Sequence, residues 1–135
     1  MANLQSFVDD AAMGSPAAVA ARVTVTAVTI SSGSSISVGF ETDGQPIMGL
    51  QLPTAWTAAG ITMQASYNGT TYGEVTNSSG TYASVVVSTS TYAAILPTEV
   101  AACYGAPYVR LRSGTLSTAV LQTGDRVIQV VTRKM

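Results

Sequence analysis

The chain has 135 residues and a mass of 13.8 kDa, enough for one domain that buries about two-thirds of its unfolded surface without metals or disulfides. Six basic and seven acidic side chains leave a net charge of −1 and a charged fraction of 10%, against about 25% in an average soluble domain, so no basic cluster exists to displace counterions from a nucleic acid. With 15 Ser and 18 Thr, the water-facing surface must be made mainly of neutral hydroxyls, the mark of a protein built to be assembled.

Residues 1–20 are rich in Ala, Gly, Ser and Pro and lack a period of two. They are expected to form an N-terminal arm or edge-covering segment, with the folded domain spanning residues 21–135. From Arg22 the texture changes to strand-like alternation. Val23, Val25 and Ala27 share one face, and Val28 and Ile30 share the other, a phase flip that predicts a bulge near Ala27. Ser31–Ser35 reads as a turn, and Ile36, Val38 and Phe40 alternate with small residues before the turn signal Thr42-Asp43-Gly44-Gln45-Pro46. Ile47–Leu52 is apolar on both faces and stops at Pro53, where Pro53–Trp56 predicts one short helical turn. Ile61, Met63, Ala65 and Tyr67 form the next strand face, and Asn68-Gly69 is the best hairpin signal in the chain, leading into Thr71–Val75.

Asn77–Gly80 is a further turn, followed by short strands over Ala83–Val87 and Tyr92–Leu96. A second helical turn is expected at Pro97–Cys103. Tyr108–Arg112 alternates Val109 and Leu111 inward with Arg110 and Arg112 outward, and the last strand is Arg126–Thr132. Eight or nine short strands with frequent turns predict an all-β fold, an antiparallel β-sandwich of jelly-roll type with one or two helical turns. Because the first and last strands are apolar on both faces, both are expected to lie inside one sheet.

The missing residues restrict chemistry further. There is no His, one Cys (Cys103) and one Lys (Lys134), so a zinc site lacks its ligands and a Ser-His-Asp or Cys-His arrangement lacks its proton carrier. The expectation is a chain that is not an enzyme and carries no cofactor or metal. Residues 1–22 do not read as a secretory signal, and no apolar run approaches the roughly 20 residues of a membrane helix; the expected setting is a cytoplasm, with no membrane partner. Glu41 with Asp43, and Asp9 with Asp10, read as solvated turn residues rather than paired acids. Trp56 and six tyrosines leave open a sugar-stacking platform. Arg110 and Arg112 are expected to be exposed, with Arg126 near them in space. They either guard a sheet edge or meet a partner's carboxylates. On that reading alanine at either position changes folding by no more than about 1 kcal/mol.

The strings LPTAWTAAGITMQASYNGTTYGEV, AAILPTEVAACYGAPYVRLRSGT and QTGDRVIQVV resemble a group of small structural proteins of tailed bacteriophages and prophages. The matching pieces are Pro53–Ala58, Asn68–Tyr72, Tyr108–Thr115 and Asp125–Val131, and the resemblance covers roughly residues 49–132. Some members are cement or decoration proteins: jelly-roll domains on the outer capsid surface that act as dimers or trimers and clamp neighbouring major capsid subunits. The resemblance implies a virion location, the major capsid protein and a second copy of the chain as partners, and no chemistry. Candidate contacts are Arg110 and Arg112, with Phe7, Asp9 and Asp10 in the arm. The alternative is a carbohydrate- or receptor-binding β-sandwich module.

Overall fold

The computed structural model describes residues 22–76, 79–95 and 105–134. Nine strands follow in order: β1 (Val23–Ile30), β2 (Phe40–Glu41), β3 (Ile47–Gln51), β4 (Ile61–Ser66), β5 (Gly73–Glu74), β6 (Ser84–Val85), β7 (Tyr92–Ala94), β8 (Tyr108–Ser113) and β9 (Arg126–Arg133). They form two sheets. The first has the order β1-β9-β3-β7; the second runs β2-β8-β4-β5, with β6 also on β4.

Every pairing is antiparallel, and four of them nest: β1 with β9, β2 with β8, β3 with β7 and β4 with β5. The chain is a long hairpin doubled over so that its arms pass between the sheets, the jelly-roll sandwich that the alternation predicts. Strands β1, β3 and β9 of the first sheet and β4, β6 and β8 of the second turn apolar side chains into the space between the sheets. Val28, Ile30, Leu50, Ile128 and Val130 come from the first, facing Ile61, Met63, Val85, Val109 and Leu111 from the second. Val109 and Leu111 are fully buried, as the period of two requires.

Local turn chemistry is where the residues demand it. Asp43 and Gly44 both have positive φ, and Gln45 N–H donates to the Thr42 carbonyl at 2.9 Å, the type I′ geometry that an Asp-Gly pair favours. Between β4 and β5, the Ser66 hydroxyl accepts from the amides of Asn68 and Gly69, while Asn68 Oδ1 accepts from those of Thr70 and Thr71.

Three expectations are corrected. Among the described residues β1 is an edge strand, and of the two terminal strands β9 alone lies inside the sheet. The bulge near Ala27 is absent, since β1 pairs with β9 without a shift from Val23↔Arg133 to Ile30↔Arg126. Both apolar sets of β1 are real but face opposite ways: Val28 and Ile30 reach the core, whereas Val25 and Ala27 are exposed on the outer face. The register shift of the first sheet falls instead between Ile47 and Gly49, where β3 meets β9. Third, Pro53–Trp56 is not helical but a bent loop, closed by the Trp56 indole donating to the Ala59 carbonyl at 3.1 Å. The arm over residues 1–20, with Phe7, Asp9 and Asp10, and the turn at Pro97–Cys103 lie outside the described residues.

Candidate interaction surfaces

β8 sends Arg110 and Arg112 to the outer face of the second sheet, beside β4, whose Gln64 and Thr62 are their register partners. β5, on the far side of β4, places Glu74 opposite Gln64. The result is a connected polar network. Arg112 grips both Glu74 oxygens, Nη1 to Oε1 at 2.7 Å and Nη2 to Oε2 at 2.5 Å, and Nη1 reaches the Thr62 hydroxyl at 3.3 Å. Gln64 donates its amide to Glu74 and accepts from Arg110 Nε at 2.5 Å. The Arg110 guanidinium also stacks 4.2 Å from the centre of the Tyr72 ring.

Arg112 is therefore not exposed. It retains 3% of its surface, because a bidentate carboxylate and the flanking β4 and β5 side chains cover it. Hydrogen bonds from Arg112 hold the Glu74 carboxyl below its ordinary value, against the opposing pull of partial burial, with Gln64 and the charges of Arg112 and Arg110 helping. The Arg112 guanidinium is in turn held more firmly charged by Glu74. Arg126 is not a third member. It lies on β9 in the other sheet, bonded to Gln122 Oε1 and the Thr123 hydroxyl. Arg112 is thus buried and committed to Glu74 and Thr62, and Arg110 is half-buried over Tyr72.

At the end of the sandwich where β4 stops and β8 starts, two shallow recesses adjoin. One, of about 230 Å³, is lined by Ala65, Ser66, Tyr67, Ala106 and Pro107. The other, of about 140 Å³, is lined by Glu41, Asp43, Gly44, Pro107 and Tyr108. Tyr67 is 79% exposed beside them. Glu41 and Asp43 are exposed turn-side residues, as expected from sequence, and no charged group pairs with them among the described residues.

The outer face of the first sheet has a different character. Val25 is 58% exposed on β1, Val127 is exposed on β9, and Ala27 and half-buried Val131 fill the space between. Tyr92 on β7 lies across Gly49 of β3, whose missing Cβ leaves room for the ring. Along β1, β3 and β7 this face carries no charged side chain; Arg126 and Arg133 mark the two ends of β9.

The residues that carry the phage-protein resemblance have structural duties here. Gln122, fully buried, accepts from Thr57 N–H at 2.9 Å and donates to the Thr57 carbonyl at 3.1 Å, so it fastens the Pro53–Ala58 loop. Asp125 accepts from Ser32 N–H at 2.8 Å, tying the turn before β9 to the turn after β1. Gly114 has φ +91, and a Cβ there would strike the backbone of Thr118 and Val120. Sequence reasoning missed the roles of Gln122 and Glu74, because each acts on a segment distant in sequence and local patterning carries no sign of that partner. Among the described residues no group of His, Cys, Asp and Glu is arranged to hold a metal ion. No family model, curated protein or solved structure matches the chain.

Proposed function

We propose that this chain is a non-enzymatic structural protein of a bacteriophage particle, a cement protein that binds the outside of the capsid and links neighbouring major capsid subunits. It would be made in the bacterial host's cytoplasm and act by contact alone. The observation that carries the reading is the outer face of the first sheet, where Val25, Ala27, Val127 and Val131 meet solvent with hydroxyl and amide neighbours. Exposed apolar surface on a rigid scaffold is the signature of a docking face, and a sandwich braced by nested pairings makes a stiff clamp. The motif resemblance over residues 49–132 supplies the capsid as the surface to be clamped.

A modest free energy per site suffices for such a protein, because it is summed over many equivalent lattice positions. Purified protein mixed with expanded capsids that lack it is expected to bind saturably and in fixed stoichiometry, read by co-sedimentation. Absence of saturable binding would remove the cement role. The recess pair with exposed Tyr67 beside Glu41 and Asp43 favours one second reading, a sugar-binding module. Its mark would be glycan-array binding lost on Tyr67→Ala, without capsid affinity.

A further inference from the structure

We infer that β1 is a strand-pairing edge, and that its occupant is β1 of a second copy of this chain, aligned antiparallel about a two-fold axis. Among the described residues the other sheet edges are short: three residues in β7 and two each in β2, β5 and β6. β1 alone is long, with eight residues, Val-Thr-Val-Thr-Ala-Val-Thr-Ile. Natural edges are protected by charge, proline, a bulge or brevity. β1 has none of these, since its register with β9 is unbroken and its sequence holds no charged residue and no proline.

The ladder fixes which groups are available. Lys134 N–H donates to the Arg22 carbonyl at 2.8 Å, and Arg133 N–H donates to Pro46 on the opposite side of β9. In an antiparallel ladder the bonded residues alternate, so the peptide groups of Thr24, Thr26, Val28 and Ile30 face β9. Those of Val23, Val25, Ala27 and Thr29 point away from the sheet. Among the described residues nothing pairs with them; β9 is the one partner of β1.

A second copy meets this row without mismatch. Val23 opposite Thr29, and Val25 opposite Ala27, satisfies all four outward peptides of each strand in one isologous register. The two four-stranded sheets become one of eight, and the apolar stripes of Val25 and Ala27 merge on the same outer surface. A net charge of −1, with no charge in the strand, leaves nothing to repel the second copy. This inference gives a geometry to the self-association within the proposed function. It concerns the free protein, so it can fail while capsid binding stands.

Hydrogen exchange combined with sedimentation tests it on the full chain. A dimer is expected that dissociates on dilution. The amides of Val25, Ala27 and Thr29 should lose protection as it dissociates, while those of Thr26 and Val28 stay protected. Ala27→Pro removes an outward N–H and leaves the β9 ladder whole, so it should raise the dimer dissociation constant at least tenfold with an unchanged circular dichroism spectrum. Val25→Lys should do the same from the outer face, and decides the matter with the exchange data if the proline variant does not fold. Strict monomer up to millimolar concentration would overturn the inference. So would protection of Val25, Ala27 and Thr29 that ignores dilution, which would mean that the chain's own residues cover the edge. A dimer in which these amides stay unprotected would place the contact elsewhere and equally end it.

Discussion

Removing the Arg112 guanidinium would leave Glu74 and Thr62 facing a void where three charge-assisted hydrogen bonds had been. Breaking a buried pair from one side costs about 3–5 kcal/mol. Glu74 keeps 18% of its side-chain surface, so Arg112→Ala is expected near the lower end, about 3 kcal/mol in urea unfolding. Arg110→Ala should stay near 1 kcal/mol, since a half-buried Arg loses one hydrogen bond and one ring contact. The same pair gives a pH dependence with a definite sign. The Glu74 carboxyl is held below its ordinary value of 4.5. Its contribution is therefore fully present above the unfolded value and is lost as pH falls through the lower folded value. Melting temperature should fall less steeply between pH 5 and pH 3 in Glu74→Gln than in the parent, and an equal slope would refute the linkage. Period-two alternation separates Val109 and Leu111 from Arg110 and Arg112, so the faces are legible in the sequence. The covering of Arg112 is not, because Glu74 reaches it across β4 from a strand of two residues.

Among the elements, those with local causes are legible. Asp43-Gly44 and Asn68-Gly69 shape their turns because the required backbone angles and side-chain acceptors are built into four or five consecutive residues. The Pro53–Ala58 loop is not local in that sense. A proline and a short apolar run look like the start of a helix, yet the segment is held open by Gln122, whose side chain takes the Thr57 N–H and carbonyl that a helix would use internally. Gln122→Leu keeps the volume and discards both Thr57 bonds together with the one from Arg126 Nε. Leaving the paired Thr57 groups without this partner should cost about 2–3 kcal/mol. Faster amide exchange at Thr57 should accompany the loss; unchanged exchange and stability would show that the loop holds itself. The position of β1 at an edge escapes the sequence for a related reason. An apolar pattern on two faces says that both are dry somewhere, not whether the second is covered by the same chain or by another.

For the whole molecule, scarce charge and abundant hydroxyls describe a surface with little to keep copies apart. They say nothing of which face does the joining; that waits on the sheet order. The nested pairings carry a further consequence, in time rather than space. Each antiparallel pair encloses the next, so β4 with β5 is the one junction of the four that closes over a short loop. The loop-closure entropy of β3 with β7, β2 with β8 and β1 with β9 falls once the pairs inside them have formed. Folding is therefore expected to run from the Asn68 turn outward, on the millisecond-to-second scale of non-local β topologies. Asn68→Ala should mainly slow folding, and Val28→Ala in β1 should mainly speed unfolding, each read as a φ-value from chevron plots. The reverse assignment would mean that the chain zips from its ends. In the expected order β1 is the last strand to find β9, and until it does, both edges of an uncharged eight-residue strand stand open to any neighbour still being made.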